Sequence, residues 1–168
     1  ILGFQSNMKY LHDRTTESLG LLYAMHWPFL QPETARGIRR TPLYNELKAA
    51  NACFGEAGGW ERPNWFAPEG VEPKYEYSYG KQNWHEYSGN EHRAIRENVG
   101  ILDISTFSKF MLQGRDAEKI INQVSANDMS VDPGNMVYTQ WLNQQGGISA
   151  DLTVTRTAED AYMVMTAF

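Results

Sequence analysis

Apolar positions recur every three or four residues near the start of the chain: Met8, Leu11, Leu19, Leu22 and Met25, with Thr15 in the same series. That spacing predicts a helix over 7–26 that buries one apolar face, ended by Pro28 and Pro32. Residues 28–40 read as a connector closing on a basic patch, Arg36, Arg39 and Arg40. A second helix is expected from Thr41. Threonine is a good N-cap, and Pro42 falls at the first helical position, where its missing N–H costs nothing; Leu43, Leu47 and Ala50 make its inward face. Residues 51–90 show little period. They hold Gly58-Gly59, several prolines and many aromatics, among them Trp60, Trp65, Phe66, Tyr75, Tyr77, Trp84 and Tyr87. A stretch this aromatic reads as an irregular segment packed onto a body rather than a loose linker.

From residue 90 the pattern tightens. Asn90 is placed to cap a helix at 91–99 and Gly100 to end it. Strands are expected at 101–105 and 107–113, and a helix at 116–125 with Ile120, Ile121 and Val124 inward. Two more strands, 136–143 and 148–156, flank Gln144-Gln145-Gly146-Gly147, a hairpin signal. A turn at 157–160 leads into a last strand over 161–168. The class is α+β with an antiparallel sheet and packed helices.

Composition narrows the picture. The chain has 168 residues, 42% of them hydrophobic, enough for a packed core and too many for a disordered segment. A net charge of −5 argues against a nucleic-acid or anionic-membrane surface. No apolar run approaches the roughly 20 residues that span a bilayer. Cys53 is the single cysteine, so an internal disulfide is excluded and a reducing compartment is the simpler expectation. The start, Ile1-Leu2-Gly3, shows no signal-peptide pattern. The last residues end inside a strand pattern, so both ends suggest a piece of something longer.

Most routes to chemistry are then closed. His12, His26, His85 and His92 form no ligand-spaced pair, so no metal site is expected. There is no GxGxxG or GxxxxGK[ST] loop and no Gly-x-Ser-x-Gly elbow. Cys53 has no base near it in sequence and reads as a buried, inert thiol. The aromatics of 60–87 read first as packing, though such rings also stack flat ligands. One carboxylate stands out. Alternation along 148–155 puts Ile148, Ala150, Leu152 and Val154 on one face and Ser149, Asp151, Thr153 and Thr155 on the other. A solvated strand-face carboxylate is the plainer reading of Asp151. The functional reading is a group that binds a polar ligand or relays its protons, with partial burial raising its pKa.

Several ordered blocks resemble the aminomethyltransferase (glycine-cleavage T-protein) family of tetrahydrofolate-binding domains: Thr41-Pro42-Leu43-Tyr44, Gly59-Trp60-Glu61-Arg62-Pro63, Glu91-His92-Arg93-Ala94-Ile95-Arg96, Gly100-Ile101-Leu102-Asp103-Ile104-Ser105 and Leu142-Asn143-Gln144-Gln145-Gly146-Gly147-Ile148-Ser149-Ala150-Asp151-Leu152. Ahead of them, Tyr23-Ala24-Met25-His26-Trp27-Pro28 and Ala35-Arg36-Gly37-Ile38-Arg39-Arg40 resemble the central segment of FAD-dependent dimethylglycine/sarcosine dehydrogenases. The resemblance implies a helical central segment over 1–40, following a flavin domain, and the N-terminal part of a folate-binding domain over 41–168.

It also implies oxidative demethylation of an N-methyl glycine, sarcosine or dimethylglycine, with FAD upstream and tetrahydrofolate accepting the one-carbon unit. Asp151 occupies the position of the family aspartate that approaches the folate amine nitrogens. Tyr138 and Phe107 align with apolar folate contacts. The segment Asp103-Ile104-Ser105-Thr106-Phe107 lacks the family's usual His, which puts the local pocket in doubt. The expected partners are a small-molecule substrate and folate, without nucleic acid or membrane, in a homo-oligomer of the full protein; the expected compartment is the bacterial cytoplasm or the mitochondrial matrix. Two alternatives stay open. One is a non-catalytic regulatory relative, the group that includes the pyruvate dehydrogenase phosphatase regulatory subunit. The other is a folate-dependent demethylase without flavin chemistry, against which residues 1–40 count.

Overall fold

A computed structural model describes residues 3–167. Residues 1, 2 and 168, which belong to the expected leader and to the last expected strand, lie outside the described residues. The chain divides into two compact units, 1–103 and 104–168.

The first unit begins with helix α1, Met8–Gly20, whose first turn is capped by Asn7: its side chain accepts a hydrogen bond from the Tyr10 N–H. A short tighter turn, Leu21–Tyr23, ends it. The helix is where it was expected, but its inward face is not the apolar one. Met8 is 79% exposed, Leu19 60% and Leu22 63%, whereas Tyr10 is buried. The inward row is buried Tyr10 with half-buried Arg14 and Glu17, again at helical spacing. Arg14 pairs with Glu56 at 3.2 Å, and Glu17 accepts the backbone N–H groups of Glu33 and Thr34 at 2.6 and 3.1 Å. Polar contacts to the connector, rather than apolar burial, set the rotation of this helix.

The second helix, α2 (Tyr44–Ala49), starts two residues later than a Thr41 cap predicts, with Leu43 rather than Thr41 at the cap. Strands β1 (Ala52–Ala57) and β2 (Trp60–Phe66) then form an antiparallel hairpin in the segment expected to be irregular. Gly58 and Gly59 make its turn with φ of 58° and 83°, a conformation glycine adopts without strain. A Cβ at Gly59 would sit 2.5 Å from the Phe4 ring. Helix α3 (His85–Glu97) begins well before Asn90.

What ties the connector to the hairpin is a buried ion pair. Glu61 is 3% exposed. It accepts from Arg36 Nε at 2.9 Å, Arg36 Nη2 at 2.6 Å and the Gly37 N–H at 2.6 Å. Arg36 also donates to the carbonyls of Pro32 and Phe54. Burial alone would raise the Glu61 pKa, but these donors outweigh it and hold the carboxyl below its ordinary value. The expected basic patch is thus partly engaged: Arg36 is paired, Arg39 lies over the Trp60 ring at 4.2 Å, and Arg40 stays exposed.

The second unit is a four-stranded antiparallel sheet with one helix. Its strands are β3 (Ser108–Gln113), β4 (Met136–Leu142), β5 (Ile148–Ala158) and β6 (Ala161–Thr166), in the order β3-β6-β5-β4. Helix α4 (Ala117–Val124) covers one face. Ala117, Ile121, Met129, Leu152, Val154, Tyr162 and Val164 form the core there. Ile120, expected inward, is 49% exposed. The strand expected at 101–105 is absent; these residues are a loop and turn ahead of β3. The antiparallel α+β expectation holds.

Replacing Glu61 by glutamine leaves Arg36 partly buried without its anion. A loss of roughly 3 kcal/mol is expected, the low end for a broken buried pair because Arg36 keeps some solvent contact. Since Glu61's folded pKa is depressed, the stability it supplies is present above its ordinary carboxylate value and is lost as pH falls through the folded one. Thermal denaturation of wild type and Glu61→Gln from neutral to acid pH checks this: the gap should close as pH drops, and a constant gap would contradict the assignment.

Candidate functional site

Each strand of the second unit sends alternate side chains to opposite faces. On β5, Leu152 and Val154 enter the core, so Asp151 and Thr153 face away from it. On β4, Thr139 is fully buried, which turns Tyr138 and Gln140 to the face that carries Asp151. The β4–β5 register sets Gln140 directly opposite Asp151 and Tyr138 opposite Thr153. Met165 on β6 lies opposite Thr153 from the other side.

Asp151, Thr153, Tyr138 and Met165 line a cavity of about 440 Å³ whose other walls include Ile104, Phe107, Met136, Leu152 and Thr166. The three residues singled out from the sequence, Asp151, Tyr138 and Phe107, therefore meet in one place. The cavity is mostly apolar, with Asp151 as its one charged group among the residues named. Gln140 Nε2 donates to Asp151 Oδ1 at 3.2 Å, and Thr166 Oγ1 donates to the Asp151 backbone carbonyl at 2.8 Å. The Asp151 carboxylate beside the Tyr138 hydroxyl raises the phenol's pKa, chiefly by holding its protonated, hydrogen-bonding form.

Asp151 itself is exposed, as the plainer reading of the strand expects, and the partial burial that went with the functional reading is not found. Its chemistry is that of a solvated, oriented carboxylate next to apolar walls. Apolar walls from Phe107, Met136 and Met165 beside one carboxylate, Asp151, are the kind of lining that can take a flat ring with a polar edge. Thr106, where the family pattern places a histidine, is buried with Oγ1 lacking a hydrogen-bond partner.

Gln140, Met136 and Met165 are not marked as site residues by the sequence, whereas Thr153 shares the expected face of Asp151. Met136 and Thr153 carry a signal, since each lies two residues from Tyr138 or Asp151 on the same strand. Gln140 and Met165 depend on cross-strand register, which the sequence pattern does not display.

The description GCVT N-terminal domain matches residues 43–168, and FAD dependent oxidoreductase central domain matches residues 2–41. The chain belongs to the GCVT N-terminal domain family, joined to that central domain. It is 47% identical over 98% of its length to 4-methylaminobutanoate oxidase (formaldehyde-forming) of Paenarthrobacter nicotinovorans. It is 34% identical over 89% of its length to mitochondrial sarcosine dehydrogenase of Homo sapiens. The mitochondrial pyruvate dehydrogenase phosphatase regulatory subunit of Mus musculus is 29% identical over 98% of the chain. The chain spans 20%, 19% and 19% of these relatives' own lengths. Among solved structures, the glycine cleavage system aminomethyltransferase T from Bartonella henselae superposes with a TM-score of 0.62 at 25% identity, over 77% of this chain and 31% of that one. The GCVT domain therefore has both a sequence family and a solved fold behind it.

Elsewhere the structure offers little reactive chemistry. Among the described residues no group of His, Cys, Asp and Glu could hold a metal, and no helix is long and apolar enough to cross a membrane. Cys53 is 3% exposed, and burial pushes its thiol up to about 11. Iodoacetamide at about pH 8 should leave Cys53 unlabelled in the folded protein and label it in denaturant, as read by peptide mass spectrometry. Labelling of the folded protein at the rate of a free thiol would contradict the packing.

Proposed function

We propose that this chain is the central and folate-binding part of a flavin-dependent oxidoreductase acting on N-methyl amino acids, and that its Asp151 cavity takes tetrahydrofolate as acceptor of the one-carbon unit. The observation that carries the reading is the meeting of Asp151, Tyr138 and Phe107 at one largely apolar cavity, in a chain whose relatives include enzymes named for 4-methylaminobutanoate and sarcosine. FAD, bound by residues outside this chain, supplies two-electron oxidation of the N-methyl group. The division at residues 40 and 41 is proposed as the start of the folate domain; the separate family matches over 2–41 and 43–168 support a boundary within two residues of it.

The chain's own groups then have distinct tasks. Phe107, Met136 and Met165 cover the folate ring and exclude water. Asp151 accepts hydrogen bonds from the reacting amine edge, orients it, and stabilises the positive charge that develops on nitrogen as the one-carbon unit arrives. Tyr138 and Gln140 hold the Asp151 carboxylate in place. In the substrate, the common feature is an N-methyl group on an amino acid. Sarcosine and dimethylglycine keep the amine next to the carboxylate, whereas the 47% identical relative is named for a longer amino acid. We place the full protein, as a homo-oligomer, in the bacterial cytoplasm or the mitochondrial matrix.

The similarity to a regulatory subunit supports one other reading, a protein that keeps the architecture without the reaction. Flavin reduction by sarcosine, dimethylglycine and 4-methylaminobutanoate, measured in the full-length protein, separates the two. Reduction by at least one is expected; reduction by none would favour the regulatory reading. In the same protein, Asp151→Asn should spare flavin reduction and lower the rate of methylenetetrahydrofolate formation by roughly a hundredfold, the scale of one lost electrostatic contact to a developing charge. An unchanged folate product would remove the role given to Asp151.

A further inference from the structure

The first unit contains a second cavity, of about 530 Å³, whose lining includes three cationic side chains, Arg36, Arg40 and Lys48. It shares no residue with the Asp151 cavity, and the inference drawn from it does not rest on the folate reading. Its one carboxylate is Glu61, which is already held by Arg36 and by the Gly37 N–H. Arg40 contributes to the field that lowers the Glu61 pKa, but among the described residues neither Arg40 nor Lys48 forms an ion pair. With Arg36 and Glu61 cancelling each other, two uncompensated positive charges face the cavity. The local field is therefore opposite in sign to the chain's net charge of −5.

Arg40 is placed rather than free. Its guanidinium lies over the Tyr44 ring, 4.6 Å from the ring centre, and Tyr44 meets the Phe54 ring at 4.7 Å. It also packs closely on Gly37, where a Cβ would sit 2.7 Å from Arg40 Nη2. Gly37 has a φ of 72°, so glycine there supplies both the left-handed turn and the room for the guanidinium. Holding a long side chain against a ring and a backbone costs rotamer freedom, and no carboxylate bond offsets that cost. Among the described residues the Arg40 guanidinium donates no hydrogen bond, so its N–H groups remain for a ligand. Lys48 comes from the last turn of α2, and Phe54 and Pro73 add apolar wall to the same cavity.

The other polar group of the lining is committed. Asn51 Nδ2 donates to the carbonyls of Ala67 and Val71, both at 3.0 Å. Recognition in this cavity thus falls to the two free cations. A metal ion is repelled by them, and a nucleic acid calls for many more phosphate contacts than two side chains supply.

We propose that this cavity binds a phosphate monoester of a small molecule, with the dianionic group held by Arg40 and Lys48 and the organic part against Phe54 and Pro73. Two unpaired cations match the two charges that a phosphate monoester carries near neutral pH, whereas a single carboxylate neutralises only one. The guanidinium fork fits two phosphate oxygens at once, and the lysine supplies the second charge without demanding a fixed geometry.

Phenyl phosphate is the probe, titrated calorimetrically into the purified full-length protein beside phenyl sulfate, which has nearly the same shape and one charge fewer. Saturable binding of phenyl phosphate is expected, with phenyl sulfate weaker by roughly tenfold. Arg40→Gln should weaken phenyl phosphate binding by roughly tenfold, and Lys48→Gln by roughly fivefold, the scale of a solvent-exposed charge contact. Both side chains are exposed, so the thermal midpoint without ligand should stay that of the wild type. If Arg40→Gln fails to fold, Lys48→Gln decides alone. Absence of saturable binding, equal binding of phenyl sulfate, or an affinity that the substitutions leave unchanged would each overturn the proposal, the last by placing the phosphate elsewhere in the protein.

Discussion

The second unit depends on the two-residue alternation of β5. Leu152 and Val154 must reach the core under α4, and once they do, Asp151 and Thr153 have only the opposite face to occupy. A slip of one residue would expose Leu152 and Val154 and bury Asp151 without a partner, so burial of two aliphatic side chains strongly specifies where the carboxylate points. The same register brings Gln140 across from Asp151 and puts Tyr138 beside it. Core packing and site geometry are thus one constraint seen from two faces of a sheet.

The first unit is organised differently. Its hairpin and connector meet through the buried Arg36–Glu61 pair, which also gathers the Gly37 N–H and the Phe54 carbonyl. A pair of this kind is a poor source of net stability and a strong source of register, because any shift leaves a charge unpaired in a poorly solvated place. Around it the aromatic residues of β2 and the following segment form a separate cluster on Cys53, Trp65 and Ala67. The density of rings between 60 and 87 does serve packing: Tyr75, Trp84 and Tyr87 pack against that cluster.

How much was legible depended on the kind of order involved. The strands β4, β5 and β6 and the helix α4 follow apolar periodicity because one face of each is buried, and the sequence shows them within a few residues. β1 and β2 leave no clear strand pattern because Gly55 and Pro63 interrupt them, although Gly58-Gly59 is a hairpin signal. The face of α1 was misjudged because its inward contacts are made by Arg14 and Glu17, and polar packing leaves no mark in a hydrophobic pattern. Asp151, Tyr138 and Phe107 were legible through resemblance and alternation. Gln140 and Met165 were not, because a cross-strand neighbour is known only once register is known.

The central claim is that the Asp151 cavity receives the folate ring. A crystal structure of the full-length protein with a stable analogue, 5-formyltetrahydrofolate, tests it most directly. The account predicts the ring between Phe107, Met136 and Met165, with its amine edge within hydrogen-bonding distance of the Asp151 carboxylate. An analogue ordered elsewhere, with this cavity holding only solvent, would contradict it.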